Sequence, residues 1–184
     1  MENLTDQELI SSLQNGKEQA MDILFRRHYS SICRAVYRIL KDNNLSEDIA
    51  QEVFLGLWKK RENLNITSSV QAYLKRAAIN KSLNYIRDQR IKLNDEVEMP
   101  LLSNNQSSTQ QQLEADDLQK IINQTIDNLP KRCRVIFVLS RFEEMSYKEI
   151  ATELNISIKT VENQISKALK ILRTALIADN RPPY

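Results

Sequence analysis

Polar side chains that could read DNA recur along one face of a predicted helix spanning about residues 158–177. Asparagine, glutamate and threonine can hydrogen-bond to base edges in the major groove, whereas lysine and serine can contact phosphates. The polar residues are Lys159, Thr160, Glu162, Asn163, Ser166, Lys167 and Lys170, and the apolar residues predicted to be buried opposite them are Val161, Ile165, Leu169 and Leu172. This pattern predicts a recognition helix that enters the groove with its N-terminal half.

The sequence before this helix has the pattern of a helix-turn-helix. Ser146 and Glu149 form a capping box that predicts the start of a first helix. Ala151 is small enough to let two helices approach closely, and Asn155 stands where the turn needs a residue that tolerates positive φ. Ser157 is the predicted cap of the recognition helix and part of its DNA-contacting set. An ordinary solvated helix hairpin would not require this combination at these offsets.

The remaining sequence is also predicted to be helical. Only two glycines and four prolines interrupt 184 residues, and a hydrophobic content of 41% is typical of a globular protein. A capping box of Thr5 and Glu8 predicts the start of another helix. The other predicted helices begin at Pro130 or cover about residues 17–41, 46–62, 69–91, 113–128 and 147–154. Ser46 is the predicted cap of the third helix, and Ser68 or Ser69 caps the fourth. No segment alternates as a strand would, so the expected class is all-α.

Charge divides the chain into two basic blocks and an acidic connector. Residues 1–91 carry a net charge of +3 and residues 118–184 a net charge of +4, whereas residues 92–117 carry −5. Residues 103–112 are polar and of low complexity, which predicts a flexible linker. The expected organisation is therefore two small helical domains, at 1–91 and 115–184, joined by a flexible acidic and polar linker at 92–114.

The composition favours a cytoplasmic protein that is neither an enzyme nor bound to a cofactor. No stretch is apolar enough to span a bilayer, and the first residues lack the features of a signal peptide. Cys33 and Cys133 fit free thiols in a reducing cytosol, although spacing alone leaves a disulfide open. His28 is the only histidine, and neither a metal-ligand cluster nor a recognisable catalytic frame is present. We therefore expect no metal, no membrane insertion and no small-molecule substrate.

A second polar cluster lies on the predicted third helix. Asp48, Gln51, Glu52 and Leu55 are spaced i, i+3, i+4 and i+7, which places them on one helix face. An acidic patch with an exposed leucine suits a basic helix of a partner. Spacing alone, however, favours an ordinary solvated face.

Motifs in both halves, in this order along the chain, resemble those of extracytoplasmic-function (ECF) sigma factors. Asp48-Ile-Ala-Gln-Glu-Val-Phe54 resembles region 2.2, and residues 72–80 with 85–87 resemble regions 2.3 and 2.4. Leu129-Pro130, followed by the helix-turn-helix, resembles region 4. The resemblance covers about residues 20–91 and 115–175. It implies an RNA polymerase sigma factor that directs core RNA polymerase to promoters and initiates transcription.

The resemblance also implies a role for each cluster. The patch on the third helix (Asp48, Gln51, Glu52 and Leu55) would dock on a coiled coil of the largest polymerase subunit. The loop at 63–69 and the fourth helix would recognise the minus-ten element as an unstacked single strand, and the recognition helix would read the minus-thirty-five element as duplex. The implied minus-ten residues are Lys60, Arg61, Asn80, Lys81, Asn84 and Arg87. The implied minus-thirty-five residues are Ser157, Lys159, Thr160, Glu162, Asn163, Ser166 and Lys167. An anti-sigma factor is the further partner that the family implies.

Two other classes of protein fit part of the sequence. A stand-alone helix-turn-helix regulator has a similar pattern in its output domain, but it normally carries an α/β receiver or ligand domain. Residues 1–91 lack strand patterning, which counts against this alternative. An adaptor bundle that binds only protein is disfavoured by the polar recognition face. Association with core RNA polymerase distinguishes the sigma factor from the stand-alone regulator.

Overall fold

The computed structural model describes residues 4–93 and 115–179, with side chains from 4–89 and 118–177. All regular elements in these ranges are helices, which confirms the all-α prediction. The chain divides into two compact units between Arg87 and Asp88. The predicted linker at 92–114 lies outside the described residues, except for its first two residues, which continue a helix.

The first unit contains four α-helices within the described residues. They are α1 (Asp6–Gln14), α2 (Gln19–Leu40), α3 (Asn43–Lys59) and α4 (Val70–Leu93, which runs past the division). A short 3₁₀ helix (Arg61–Asn63) lies between α3 and α4. As predicted, Thr5 and Glu8 form a capping box at the start of α1. The Glu8 carboxylate accepts hydrogen bonds from the Thr5 amide at 2.7 Å and from its hydroxyl at 2.8 Å, which lowers the pKa of Glu8.

The prediction that Ser46 caps the third helix is wrong. The helix begins three residues earlier, and the Asp42 carboxylate caps it by accepting from the Leu45 amide at 3.0 Å. Lys41 ends α2 in a left-handed conformation, and Asp42 directly after it caps α3. The two asparagines after Asp42 therefore fall in the first turn of α3. Ser46 is buried, and its hydroxyl donates to the Asp42 carbonyl. Of the two serines offered for α4, Ser69 accepts from the Ala72 amide.

Apolar side chains from all four helices form the core of the first unit. α2 packs along α3, and α1 packs on α2 and on the 3₁₀ helix. The most deeply buried side chains include Leu9, Leu13, Leu24, Ile32, Leu57 and Leu74. His28 is buried beside this core, with Nε2 2.8 Å from an Asp6 carboxylate oxygen, so its role here is packing and hydrogen bonding.

The second unit contains the predicted helix-turn-helix. Its helices are α5 (Ala115–Asp127), α6 (Lys131–Arg141), α7 (Tyr147–Glu153) and α8 (Ile158–Asp179). The Ser146–Glu149 capping box, the positive φ of 50° at Asn155 and the Ser157 cap are all confirmed. α5, α6 and α7 each pack on α8, which therefore holds the unit together while keeping one face open. Pro130 precedes α6 with an extended ψ of 138°, one residue before the position predicted for it.

The buried stripe of α8 differs from the prediction at one position. Leu169 is 46% exposed, and Ala168 is fully buried in its place. A residue seven positions after Val161 is rotated by about 700°, within about 20° of the same direction, whereas eight positions give an offset of about 80°. The helical period therefore places Ala168 on the buried side of α8 and turns Leu169 outward.

A buried arginine joins the end of α5 to α6. Arg134 is almost completely enclosed, and its guanidinium donates to the carbonyls of Asp127 at 3.2 Å and Leu129 at 3.5 Å. These carbonyls lie at and just after the end of α5, where a helix no longer supplies its own backbone donors. Arg134 therefore closes that helix end and fixes the Leu129-Pro130 turn.

Candidate nucleic-acid and partner interfaces

The structure brings the four docking residues together on the outer face of α3, which we call the docking patch: Asp48, Gln51, Glu52 and Leu55 are all exposed. Leu55 is 50% exposed, although the opposite face of α3 is buried at Ile49, Val53 and Leu57. An exposed leucine among acidic and amide side chains offers apolar contact and charge to one partner surface. The helical spacing of apolar and polar residues along α3 therefore determines which of its side chains face outward.

Aromatic residues from α2 border the docking patch, and sequence reasoning missed them. Phe25 is 36% exposed and stacks on Tyr29, with ring centroids 4.4 Å apart. Both rings also approach Phe54 of α3, and the Tyr29 hydroxyl hydrogen-bonds to Gln51. Desolvation raises the pKa of Tyr29 above its ordinary value. The i, i+4 spacing of Phe25 and Tyr29 was the sequence signal that could have placed both rings on the same face of α2.

An ion pair links the docking patch to α4. The Lys81 ammonium lies 2.6 Å from a Glu52 carboxylate oxygen, and both groups remain partly exposed. The two residues are separated by 29 positions, so no local pattern indicated their contact. A residue implied in polymerase docking and one implied in minus-ten recognition are therefore direct neighbours.

The outer side of α4 carries three exposed polar residues at helical spacing. Asn80, Asn84 and Arg87 follow one another at i, i+4 and i+7, and we call them, with Lys81, the α4 face. The Arg87 guanidinium donates to the Asn84 side-chain carbonyl. Amide and guanidinium groups in one row can hydrogen-bond to unstacked bases and to phosphates.

The loop before α4 alternates between inward and outward side chains. Leu64 and Ile66 pack against the core, whereas Asn65 and Thr67 are exposed. Gln14, the last residue of α1, donates from its side-chain amide to the Leu64 carbonyl at 3.0 Å. The loop is therefore anchored by apolar burial and by one long-range hydrogen bond.

Lys60 and Arg61 precede this loop and differ in their surroundings. Lys60 is exposed. The Arg61 guanidinium lies 4.3 Å from the centroid of the half-buried Trp58 ring, donates to the Trp58 carbonyl at 3.0 Å and lies 3.5 Å from Glu62. Arg61 therefore covers Trp58, while Lys60 is open to solvent.

The seven predicted recognition residues lie on the accessible side of α8, which we call the recognition face. Ser157, Lys159, Asn163, Ser166 and Lys167 are exposed, and Thr160 and Glu162 are half-buried. The first turn is organised locally: the Ser157 and Thr160 hydroxyls are 2.8 Å apart, and Lys159 pairs with Glu162 at 3.1 Å. The exposed residues further along present amide, hydroxyl and ammonium groups together, which is suitable for a DNA groove.

Cys33 and Cys133 are both free thiols in the structure. Cys133 is buried beneath α8 and donates to the Gln164 carbonyl at 3.2 Å. Burial raises the pKa of the Cys133 thiol, and the nearby Lys167 charge partly opposes that rise.

Among the side chains that the structure describes, no group of three or more histidine, cysteine or acidic residues could hold a metal ion. In the same residues, no helix is long and apolar enough to cross a membrane.

Two family models match the chain, one in each unit. Residues 24–91 match sigma-70 region 2, and residues 119–172 match sigma-70 region 4. The first match contains the docking patch and the α4 face, and the second contains the recognition face. Together they cover about two thirds of the chain.

Curated relatives extend the similarity over nearly the full length. The RNA polymerase sigma-H factor of Pseudomonas aeruginosa is 28% identical over 93% of this chain and 93% of its own. The ECF RNA polymerase sigma-E factor of Haemophilus influenzae is 26% identical over 95% of this chain and 97% of its own. The sigma-E factor of Escherichia coli strain K12 is also 26% identical, over 91% and 92% of the two chains.

Two solved structures have a similar fold. CnrH, in complex with the cytosolic domain of CnrY, superposes with a TM-score of 0.51 at 22% identity and covers 95% of this chain and 99% of its own. The sigma factor RpoE of Bartonella quintana, in complex with the anti-sigma factor NepR, superposes with a TM-score of 0.50 at 18% identity, with coverages of 85% and 96%.

Proposed function

The chain belongs to the ECF group of sigma-70 factors, and from this membership we propose how its two units divide the work. It is an RNA polymerase sigma factor that directs core RNA polymerase to specific promoters and initiates transcription. In our proposal, residues 1–91 dock on polymerase and recognise the minus-ten element, and residues 115–184 recognise the minus-thirty-five element. The linker at 92–114 connects the two. A stand-alone regulator is not favoured, because region 2 accompanies the helix-turn-helix.

Polymerase docking is assigned to the docking patch. Its acidic residues and the exposed Leu55 suit a basic helical surface, with Leu55 as the apolar anchor. Phe25 and Tyr29 support the patch from α2, because Tyr29 hydrogen-bonds to Gln51 and both rings pack on Phe54. The docking patch and the aromatic rings that support it therefore lie together on the α2–α3 pair.

Minus-ten recognition is assigned to the α4 face together with Lys60, Arg61 and the loop at 63–69. The exposed amides Asn80 and Asn84 can read an unstacked strand, and Arg87 and Lys60 can neutralise its phosphates. Lys81 contributes charge from its position beside Glu52. Arg61 is held over Trp58, so its contribution is to present a fixed positive charge beside the loop.

Minus-thirty-five recognition is assigned to the recognition face. Asn163 and Glu162 are the base-reading candidates, while Lys159, Ser166 and Lys167 are placed to contact phosphates. The first turn of α8, with Ser157 and Thr160, would approach the groove first. The modest charge of this face suggests weak duplex binding without polymerase.

The remaining assignments concern partners and location. The chain acts by binding, not by catalysis, in the cytoplasm. An anti-sigma factor is a further proposed partner, since the structures of both CnrH and RpoE were obtained as complexes, the latter with an anti-sigma factor.

The observation that carries the proposal is the presence of an exposed docking patch in a region 2 unit on the same chain as a region 4 helix-turn-helix. The test is to mix the purified chain with bacterial core RNA polymerase and to assay co-elution and promoter-dependent transcripts. We expect both. Duplex DNA binding without association to polymerase would overturn the docking assignment and favour the stand-alone regulator.

A further inference from the structure

Helix α1 is fastened to the rest of the first unit at both of its ends. At its start, Asp6 pairs with Arg27 at 3.1 Å and hydrogen-bonds to His28 at 2.8 Å, which attaches it to α2. At its end, Gln14 donates to the Leu64 carbonyl at 3.0 Å, across 50 positions of sequence. A short helix held at both ends provides a fixed support for the loop that it touches.

Burial makes α1 part of the core and not a loosely attached segment. Leu9 and Leu13 are completely buried, and α1 contacts the 3₁₀ helix directly before the loop. The region 2 match begins at residue 24, so α1 lies outside the segment that identifies the family. Its contact with the loop is therefore a feature of this chain that the family match does not cover.

The hydrogen bond from Gln14 fixes the peptide plane that leads into the exposed part of the loop. The Leu64 carbonyl and the Asn65 amide belong to one rigid peptide plane, so holding that carbonyl restricts the direction of the Asn65 side chain. Leu64 and Ile66 fix the inward side of the loop by packing. Asn65 is exposed, and its amide carries both donors and an acceptor for a base edge.

We propose that Gln14 is a positioning residue for base recognition: by holding the Leu64 carbonyl, it sets where Asn65 meets an unstacked base of the minus-ten strand. The inference rests on the proposed role of the loop at 63–69. Gln14 itself does not contact DNA in this proposal. Its effect should therefore appear in the discrimination between bases, and not in the general affinity for nucleic acid.

The test uses the full chain assembled with bacterial core RNA polymerase. The probe is a pool of single-stranded DNA with a short randomised segment, and the bound fraction is sequenced to obtain the base preference at each position. Asn65→Ala should flatten the preference at one position. Gln14→Met, which keeps the length but removes the donor, should reduce the preference at that same position by about two- to tenfold. Gln7→Met, at an exposed position of the same helix, is the matched control and should leave every preference unchanged.

A rescue variant separates positioning from a merely structural role. Gln14→Lys restores a donor that can reach the Leu64 carbonyl, so the base preference should return. The melting temperature and the affinity for polymerase should stay the same in all Gln14 variants. Amide hydrogen exchange of residues 64–67 should be faster in Gln14→Met than in Gln7→Met.

The outcomes distinguish this inference from the proposed function. A flattened position in Asn65→Ala with an unchanged preference in Gln14→Met would overturn the positioning role and leave the loop as a base reader. A loss in Gln14→Met that Gln14→Lys does not restore would overturn the assignment to this hydrogen bond. No change in Asn65→Ala would overturn the role of the loop, and the inference with it.

Discussion

The two units build their proposed binding faces in different ways. In the second unit, the contacts that organise the recognition face join residues three positions apart, as in Ser157 with Thr160 and Lys159 with Glu162. In the first unit, local contacts such as Arg87 with Asn84 are joined by contacts that span 29 positions between Glu52 and Lys81 and 50 between Gln14 and Leu64. The recognition face is therefore a property of one helix, whereas the surfaces of the first unit depend also on the tertiary fold.

This difference determines how far the effect of a substitution should extend. A substitution on the recognition face should act only on the contact that it removes, because its neighbours on α8 are held by the helix itself. A substitution in the first unit can affect a second surface, since Glu52 of the docking patch contacts Lys81 of the α4 face. The two units should therefore respond to substitution in separate ways.

The largest effect is expected from truncating the docking patch at Leu55 and Gln51. Leu55→Ala combined with Gln51→Ala should weaken binding to core polymerase by about 1–3 kcal/mol. The double variant removes the exposed apolar anchor, Leu55, and the side chain that hydrogen-bonds to Tyr29, Gln51. Fluorescence titration of labelled chain with core polymerase measures this loss. The fold should stay intact, since both side chains are exposed.

The matched control is an equivalent truncation of exposed α2 residues outside the patch. Gln19→Ala with Tyr37→Ala should leave the affinity for polymerase unchanged. Equal losses in the two double variants would mean that the docking patch has no special role. A loss of duplex DNA binding in the Leu55 and Gln51 variant, measured without polymerase, would contradict the separation of the two units.

The next effect concerns base reading by α8. Asn163→Ala should relax specificity at one base position of the minus-thirty-five duplex, with a cost of about 1–3 kcal/mol if its contact is bidentate. Competition between duplexes that differ at single positions measures this cost. The other positions should keep their preferences, because Asn163 is exposed and its truncation removes a single contact.

Lys167→Ala provides the contrast to Asn163→Ala. It should lower affinity for all duplexes alike and reduce the slope of log K against log salt by about one, as expected for a lost phosphate contact. A sequence-dependent loss in Lys167→Ala, or a uniform one in Asn163→Ala, would reverse the two assignments.

Local chemistry explains how much of the structure the sequence predicted. The two capping boxes, the left-handed Asn155 and the Ser157 cap depend on residues at most three positions apart, and all were predicted correctly. The errors at Ser46 and Leu169 have two causes. The aspartate of the polar Asp42-Asn43-Asn44 sequence, and not Ser46, caps α3, and one apolar residue of α8 falls about 80° from the buried direction.

The candidate sites were predictable only in part for the same reason. Helical spacing placed Asp48, Gln51, Glu52 and Leu55 on one exposed face, but it could not distinguish a docking surface from a solvated one. That distinction came from the resemblance. The Glu52–Lys81 and Gln14–Leu64 contacts join distant segments, and they became visible only when the packing of the helices was known.

A smaller effect is expected from removing the helix caps. Ser146→Ala should destabilise the second unit by about 1 kcal/mol, because the amide of Glu149 loses its acceptor and α7 is only seven residues long. Thr5→Ala removes the same motif from α1, which is also held by Asp6 and Gln14. Hydrogen exchange of each unit measures the change, and α7 should open further than α1. Equal opening of the two helices would show that the long-range contacts of α1 add no local stability.

The smallest predicted effect tests the link between the two surfaces of the first unit. A double-mutant cycle with Glu52→Gln and Lys81→Met should give a coupling of about 0.2–1 kcal/mol in the stability of this unit, and salt should reduce it, since both side chains are partly exposed. Fluorescence of Trp58, the only tryptophan, follows unfolding of the first unit. The same cycle at Lys159 and Glu162 is the local counterpart, and its coupling should be smaller, because Lys159 is 78% exposed and Lys81 41%. Zero coupling at Glu52 and Lys81 would make the docking patch and the α4 face independent. A measurable coupling would mean that a partner competing for Glu52 also releases the positive charge of Lys81 on the α4 face, for which we propose minus-ten recognition.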